Sequence, residues 1–349
     1  MNDIHPDIRQ MLTDMVRLGA SDLHLSAGSP PIMRVNGKLD ARSNEPLTSE
    51  QIGQMALQLL GDERYAHFQQ KGDIDFSYAV ENSARYRINI FRQKGAVSVA
   101  ARRITNEIPT LEQLGLPPLL KGLTERHQGL ILVTGPTGSG KSSTLAAMIG
   151  YINNRQARHI VTLEDPIEYV HSHKRSLINQ REVGSDTATF ASGIRSALRQ
   201  DPDVLLVGEM RDLETISAAV TAAETGHLVL ATLHTSDAPQ TVDRIIDVFP
   251  AHQQGQIRIQ LAAVLTAIVS QRLLPTLDGM GRACATEILI NTPAIANLIR
   301  TEKTHQIRSM MQTGKQQGMH TLEMSIRDLM QYGKIDPAIG RLYLPEVSV

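Results

Sequence analysis

Short apolar segments alternate with amphipathic helical patterns through the middle of the chain. The apolar segments are Leu130–Thr134, His159–Leu163, Val204–Val207 and His227–Thr232. The helical patterns between and around them cover Ser142–Tyr151, Thr189–Arg199 and Leu213–Glu224. Strands that are continuously apolar, rather than apolar at every second position, are typical of a parallel sheet covered on both faces. The pattern therefore predicts an α/β domain with a parallel sheet.

The first hundred residues follow a different pattern, in which strands dominate. Helical spacing of apolar residues covers 6–19 and Thr48–Leu60, and Thr48 with Gln51 has the spacing of a capping box. The predicted strands are Ser21–Ser26, Ile32–Val35, Asp73–Val80, Arg85–Phe91 and Ala96–Arg103, with a hairpin turn at Asn36-Gly37. Residues 1–105 are therefore expected to form a small α+β domain.

Residues 106–118 contain three prolines and one glycine and have no clear periodicity, which predicts an interdomain linker. The second domain then spans 119–349. Beyond His234 its pattern is mostly helical. The helices predicted there are Gln240–Val248, His252–Leu274, Ala294–Arg300 and Thr321–Tyr332.

Composition narrows the class of protein. The 349 residues carry a formal net charge of −1, which gives no bulk attraction to nucleic acid or to an acidic membrane. The single cysteine, Cys284, excludes a disulfide framework and a CxxC-type zinc site within the chain. No signal peptide is recognised, and the longest apolar run, near Leu261–Val269, is too short to span a bilayer. We expect a cytoplasmic protein that reaches a membrane only through a partner.

The strand Leu130–Thr134 leads into a glycine-rich segment with the spacing GxxxxGK[ST], formed by Gly135, Gly140, Lys141 and Ser142. Glycines at this spacing let successive backbone N–H groups surround a phosphate, and the following helix N-terminus adds a favourable dipole. The lysine supplies a positive charge, and the serine hydroxyl can coordinate Mg²⁺. The nucleotide-binding candidates are Gly135, Pro136, Thr137, Gly138, Ser139, Gly140, Lys141, Ser142 and Ser143.

Three later strands end in acidic or histidine residues, and ligands collect at the carboxyl ends of parallel strands. Glu164 and Glu168 follow the strand at 159–163, and Glu209 follows the strand at 204–207, with Gly208 where an aspartate is usual. His227 and His234 bracket the strand between them. Hydrolysis needs one carboxylate for Mg²⁺ and another for the attacking water, and the spacing alone does not assign them.

A positive charge is also needed against the transferred phosphoryl group. The candidate arginines lie on strands of the first domain: Arg85, Arg87, Arg92, Arg102 and Arg103. They form either an interface to a neighbouring subunit's nucleotide or a solvated sheet face.

Four segments, taken together, resemble motifs of the type II/IV secretion ATPase superfamily, specifically its type IV pilus retraction (twitching motility, PilT-like) branch. They match the Walker A, Asp box, Walker B and His box motifs, respectively at Gly135–Ser142, Leu163–Val170, Leu198–Asp212 and Thr225–Thr235. Ala20–Leu25 and Ala294–Arg300 are also similar to that branch, so the resemblance covers nearly the whole chain.

The resemblance implies a RecA-like P-loop NTPase core with a smaller N-terminal α+β, PAS-like domain, assembled as a homo-hexamer that hydrolyses ATP with Mg²⁺. It implies Glu168 as general base with Glu164 nearby, Glu209 for Mg²⁺ and water, and His227 and His234 as nucleotide sensors. Arg87, Arg92 and Arg103 would complete the site. The partners implied are an inner-membrane pilus platform protein and a paralogous pilus ATPase, with no nucleic acid.

Two departures from the branch's pattern keep other functions open. Ala296 and Thr301 stand where that branch has Arg and Glu in its C-terminal helix, which bears on retraction rather than on hydrolysis. An accessory or paralogous pilus ATPase, or a nucleotide-gated scaffold, is therefore an alternative. A nucleic-acid translocase is a second alternative, although the aromatic content of 3% and the absence of tryptophan disfavour it.

Overall fold

A computed structural model describes residues 7–35, 37–80, 84–104 and 107–344. The chain divides into two compact units. The first takes in residues up to Glu107 together with Pro166–Val170, and the second takes in Ile108–Asp165 and the chain from His171 onward. Leu111 and Leu116, from the segment expected to be a linker, are buried in the second unit's core. The division at 105 and 118 itself stays a prediction.

The first unit is a six-stranded antiparallel sheet with two helices. In chain order its elements are α1 Ile8–Arg17, β1 Ala20–Leu25, β2 Ile32–Val35, β3 Lys38–Ala41, α2 Ser49–Lys71, β4 Asp73–Ala79, β5 Arg85–Gln93 and β6 Ala96–Ile104. The strand order is β3-β2-β1-β6-β5-β4. The helices and one face of the sheet share one apolar core, and within it the Tyr86 hydroxyl donates to the Leu12 carbonyl at 2.5 Å. Asn36, of the predicted hairpin turn, lies outside the described residues.

Helix α2 begins and is interrupted for identifiable local reasons. The Thr48 hydroxyl accepts from the Gln51 amide and the Gln51 side chain accepts from the Thr48 amide, so the predicted capping box is confirmed. Gly61 interrupts the helix with φ 70° and ψ 171°, a conformation open in practice only to glycine. The first helical stretch therefore ends at Leu60, as predicted, and a second stretch continues from the break to Lys71.

The second unit is a seven-stranded sheet between helices. Its first elements are α3 Leu119–Thr124, β7 Gly129–Thr134, α4 Lys141–Arg155, β8 His159–Glu164, β9 Leu177–Glu182, α5 Phe190–Ala197, β10 Val204–Val207, α6 Leu213–Glu224 and β11 Leu228–Leu233. The remaining elements are α7 Ala238–Asp247, α8 Ala251–Val264, β12 Leu265–Pro275, β13 Arg282–Ile290, α9 Pro293–Arg300, α10 Ile307–Thr313, α11 Leu322–Gln331 and α12 Pro337–Arg341.

The sheet order is β13-β12-β7-β11-β10-β8-β9, and every pair is parallel except β12 with β13. Strands β7, β10 and β11 are buried along their whole length, and apolar clusters cover both faces of the sheet. Parallel strands need this double cover, which is why they read as continuous apolar runs. The predicted α/β class with a parallel sheet is confirmed.

The prediction of one long helix over His252–Leu274 is wrong. Helix α8 ends at Val264, and the chain continues directly as β12 beside β7, with Ala267 opposite Ile131. A continuous apolar run suits a buried helix or a buried strand equally, so periodicity could not separate them. Strands β13 and β9 were missed, and β3, which pairs with β2 as the predicted hairpin requires, had been given no bounds. Among the described residues, no helix is long and apolar enough to cross a membrane.

Alanine substitution at the two glycines of α2 is expected to change the protein's stability in opposite directions. Gly53 is an ordinary helical residue, and a Cβ there would come only within 3.8 Å of the Tyr65 hydroxyl. Gly53→Ala is therefore expected to stabilise the protein by about 0.5–1 kcal/mol. Gly61→Ala should destabilise it by about 1–3 kcal/mol, because alanine cannot adopt the backbone angles without strain. Urea unfolding followed by circular dichroism measures both, and equal stability of the two variants would contradict the assigned break.

Candidate functional site

The glycine-rich loop between β7 and α4 has a backbone that side chains would obstruct. Gly135, Gly138 and Gly140 have φ of 141°, 78° and 91°. A Cβ on Gly135 would lie 2.5 Å from the Gln271 carbonyl oxygen and 2.6 Å from the Ser139 hydroxyl. Glycine is therefore required at Gly135 both by the backbone angles and by the space available. The loop ends where Lys141 begins α4.

Lys141 is held inside this loop. Lys141 is only 9% exposed to solvent. Its Nζ donates to the carbonyl oxygens of Gly135 at 2.8 Å and Pro136 at 3.0 Å. The Ser139 hydroxyl is buried and has no hydrogen-bond partner among the described residues. A buried ammonium, an unpaired hydroxyl and the N-terminus of α4 all favour an anion, so the loop fits a nucleotide phosphate. Ser142 and Ser143 follow in the first turn of α4.

The register of the central strands brings three more predicted residues to the loop's edge of the sheet. Thr134 of β7 lies opposite Leu233 of β11, and Val207 of β10 lies opposite Leu163 of β8. Because these strands are parallel, the residues that follow them emerge at one edge. The predicted residues that emerge there are Glu164, Glu209 and His234.

Glu209 forms a small ionic cluster. Its Oε2 lies 2.8 Å from Arg211 Nη2 and 3.5 Å from His234 Nε2. The strand end is fixed by the Met210 amide, which donates to the Thr232 carbonyl at 3.0 Å, and by the Thr232 hydroxyl, which donates to the Gly208 carbonyl. Arg211 was missed as a candidate, although it stands two residues after Glu209 in the sequence. It places a cation at this edge of the second unit itself.

Gly208, which replaces the usual aspartate, fills a tight position. A Cβ there would lie 3.1 Å from the Leu163 carbonyl oxygen and 3.4 Å from the Glu164 Cα. The Gly208 amide donates to the Leu163 carbonyl at 2.8 Å, which extends the pairing of β10 with β8 by one residue. The close approach leaves Glu209 as the first acidic side chain after β10.

Glu164 accepts hydrogen bonds from two uncharged side chains. Its Oε1 accepts from the Thr162 hydroxyl at 2.6 Å and from Gln180 Nε2 at 3.1 Å. Gln180 lies on β9, a strand that the sequence did not predict, so this contact could not have been anticipated. The two hydrogen bonds fix one carboxylate oxygen beside the end of β8.

The structure does not bring His227 to the phosphate loop of its own chain. His227 precedes β11, where Leu228 pairs with Gly129 at the start of β7, and the His227 carbonyl accepts from the Gly129 amide at 3.0 Å. The loop follows the other end of β7, about 17 Å away at 3.3 Å per residue. The His227 Nδ1 lies 2.9 Å from the Ala222 carbonyl, a local contact at the end of α6. The role of His227 as a sensor of the nucleotide state stays a prediction.

Glu168 and the three arginine candidates belong to the first unit. Glu168 is exposed within Pro166–Val170. Arg87 pairs with Asp75 at 2.5 Å, and Arg92 contacts Gln69 and stacks 5.7 Å from the centroid of the Phe68 ring. The predicted site residues are thus divided between the two units.

The arginines do not share one face of the first unit's sheet. Arg87 lies opposite Arg102, whereas Arg103 lies opposite the fully buried Tyr86, and opposed residues of an antiparallel pair share a face. Arg102 is paired with Asp22 at 2.8 Å. Acidic partners therefore interrupt the positive stripe that the sequence suggested.

Gln271 of β12 supports the first turn of α4 from behind. Its Nε2 donates to the Thr144 hydroxyl at 2.8 Å and contacts Cys284 Sγ at 3.2 Å. Gln271 is 2% exposed, and its main-chain carbonyl oxygen faces Gly135. Because the sequence placed Gln271 on a helix, its position behind the loop could not be inferred.

The family model described as "Type II/IV secretion system protein" matches residues 1–332. The chain belongs to this family. It is 48% identical over 94% of its length to the "Type IV pilus retractation ATPase PilT" of Pseudomonas aeruginosa, of which it covers 95%. It is 43% identical over 94% of its length to the "Type IV pilus ATPase PilU" of the same organism, of which it covers 86%.

A solved structure of a family member has the same fold. The structure titled "Crystal Structure of the Pilus Retraction Motor PilT and Bound ADP" superposes with a TM-score of 0.90 at 46% identity, covering 98% of each chain. The family and the RecA-like core with a smaller N-terminal domain, predicted from the four motifs, are therefore confirmed.

Of the two positions that depart from the pilus retraction branch, Ala296 lies within α9 and Thr301 directly follows it. Ala296 is partly buried and packs against the second unit's core, whereas Thr301 is exposed and its hydroxyl donates to the Asn297 carbonyl at 2.8 Å. Neither side chain carries a charge that could pair with a partner.

The reactivity of the buried Cys284 thiol tests how Cys284 and Gln271 pack beside the phosphate loop. Burial raises the pKa of the Cys284 thiol to about 11, so about one thiol in a thousand is ionised at pH 8. A free cysteine has a pKa of about 8.5 and reacts as its thiolate. We expect Ellman's reagent to modify the native protein at least about a hundredfold more slowly than the urea-unfolded protein. Equal rates would show that Gln271 and Cys284 are not packed as described.

Proposed function

We propose that this protein is an ATP hydrolase that powers retraction of a type IV pilus. The observation that carries the proposal is the convergence, at one sheet edge, of the phosphate loop with Lys141 and the Glu209–Arg211–His234 cluster. Phosphoryl transfer depends mainly on positioning and on charge stabilisation, and this edge supplies fixed backbone donors, cations and carboxylates. The named relatives and the family membership support the assignment to pilus retraction.

The residues fit Mg²⁺-ATP as substrate. The loop would hold the phosphates, while the hydroxyl of Ser142 and the carboxylate of Glu209 are oxygen ligands of the kind that Mg²⁺ takes alongside phosphate and water. Bound Mg²⁺ neutralises charge on the β- and γ-phosphates. Glu164, fixed by Thr162 and Gln180, orients water at the same edge, and Glu168 serves as general base.

The motor works as a homo-hexamer, which is the assembly that the resemblance to secretion ATPases implies. Glu168, Arg87, Arg92 and Arg103 lie in the first unit, and the phosphate loop lies in the second. The protein works in the cytoplasm at the inner membrane, against the platform protein of the pilus and alongside a paralogous pilus ATPase.

An accessory role remains the second candidate, because Ala296 and Thr301 remove two charges from the α9 region. The 43% identity to a relative named PilU shows that more than one pilus ATPase exists in this family. In that case the protein would hydrolyse ATP but would not support retraction by itself. A nucleic-acid translocase would instead show ATP turnover that DNA stimulates, and we expect no stimulation.

Removing the loop cation tests nucleotide binding. Lys141→Ala should weaken ADP binding by about 2–3 kcal/mol, or roughly 30- to 150-fold in Kd, because a charge-assisted contact is lost. Lys174→Ala is the control, since Lys174 is exposed and its Nζ donates to the Asn154 side chain, away from the loop. Fluorescent ADP titration measures both. Wild-type affinity in Lys141→Ala, with the fold intact, would refute the phosphate-loop assignment.

Removing the carboxylates separates binding from turnover. Glu209→Gln and Glu168→Gln should each lower ATP turnover by roughly 10²- to 10⁴-fold, because water activation and metal binding need the charged oxygens. Nucleotide affinity should change only a few-fold. Glu214→Gln, an exposed carboxylate paired with Arg195 at 3.5 Å, is the control that should keep wild-type turnover. A variant that hydrolyses ATP at the wild-type rate would remove its residue from the site.

A further inference from the structure

Glu287 of β13 is a buried carboxylate that holds the start of two helices. The residue is 5% exposed. Its Oε1 accepts from the Ala238 amide at 2.8 Å, and its Oε2 accepts from the Leu322 amide at 3.3 Å. Ala238 is the first residue of α7 and Leu322 is the first residue of α11. One side chain therefore joins two helix N-termini that are far apart in sequence.

Burying the Glu287 carboxylate costs free energy, because a charged group is removed from water. Burial raises the pKa of the Glu287 carboxyl, and the nearby carboxylates of Asp237 and Glu323 act in the same direction, although the two amide bonds oppose it. An apolar side chain of similar size would fill the space without removing a charge from water. Such a side chain could not bind two amides, so the carboxylate's distinct contribution is the connection between the helices.

Helix α7 begins close to the sheet edge that carries the phosphate loop and the Glu209–Arg211–His234 cluster. Helix α7 begins four residues after His234, whose Nε2 lies 3.5 Å from Glu209 Oε2. Asp237 caps α7 by accepting from the Gln240 amide at 2.9 Å, so the turn from His234 to Ala238 is short and fixed at both ends. A shift of His234 would be carried to the Ala238 amide.

The second helix is anchored to the same strand. The Thr286 amide donates to the Ser325 hydroxyl at 3.1 Å, and the Thr286 hydroxyl lies 2.9 Å from His320 Nε2. The start of α11 is thus bound to β13 through Thr286 as well as through Glu287.

We propose that Glu287 is a positioning residue that fixes the His234–Ala238 turn and couples its state to the start of α11. The coupling rests on the proposed function, in which His234 responds to the nucleotide. Nucleotide binding at the loop then alters the first turn of α11 through the two amide contacts of one carboxylate.

Amide hydrogen exchange, measured by mass spectrometry with and without Mg²⁺ and a non-hydrolysable ATP analogue, tests the coupling. In the wild-type protein, the analogue should change exchange in both the 234–238 peptide and the first turn of α11. In Glu287→Gln one carboxylate oxygen is replaced by an NH₂ group, which is a donor and cannot accept from the Leu322 amide while the remaining oxygen accepts from Ala238. The 234–238 response should persist and the α11 response should be lost.

A second variant breaks the link from the other side and leaves the carboxylate in place. Leu322→Pro removes the amide donor at the first helical position, where proline is favoured, and the preceding Thr321 already has the extended ψ of 163° that proline prefers. It should give the same loss. Glu323→Gln, which removes a carboxylate of the same helical turn that pairs with Arg308, is the control and should keep the wild-type response.

The outcomes separate the two proposals. An α11 response that persists at full size in both Glu287→Gln and Leu322→Pro would overturn the coupling, as would a wild-type α11 that does not respond while the 234–238 peptide does. Failure of the wild-type protein to bind the analogue in a direct titration would overturn the proposed function, and the coupling with it.

Discussion

The parallel register of β8, β10, β11 and β7 is the constraint on which the candidate site depends. Because Thr134 pairs with Leu233 and Val207 pairs with Leu163, the segments that follow these strands emerge at one edge. The same register places His227 at the opposite edge. A slip of one residue would turn the strands' side chains to the other face and disrupt the close packing of the apolar clusters on both sides of the sheet. The chemistry of the edge is therefore held by packing that takes no part in it.

Much of this architecture was predictable because local signals and burial agree. The loop glycines, the capping box at Thr48 and Gln51, and the apolar strands each depend on a few neighbouring residues, and the structure confirms these elements. The strands β12 and β13 were not predictable in the same way. An apolar run such as Leu261–Val269 satisfies a buried helix and a buried strand alike, and only the pairing of its second half with β7 decides between them. That pairing is a tertiary contact.

Within the candidate site, residue identity was easier to infer than the side-chain partners. Glu164 and Glu209 follow their strands as expected, but the donors that fix Glu164 include Gln180 from an unpredicted strand. Arg211 could have been found, since it stands two residues from Glu209. Glu287 could not, because its two amide partners lie 49 and 35 residues away in sequence and the carboxylate gives no motif. Contacts made across the fold, rather than along the chain, are what the sequence left open.

We propose that this fold, with the phosphate loop and the Glu209–Arg211–His234 cluster at one edge of its sheet, is the motor that retracts a pilus. The most direct test is deletion of the gene in its own bacterium, scored for surface pili by electron microscopy and for twitching on agar. If the protein is the retraction motor, the cells should carry excess pili and should not move, and the wild-type gene should restore both. Normal movement with normal piliation, or a loss of surface pili, would contradict the account.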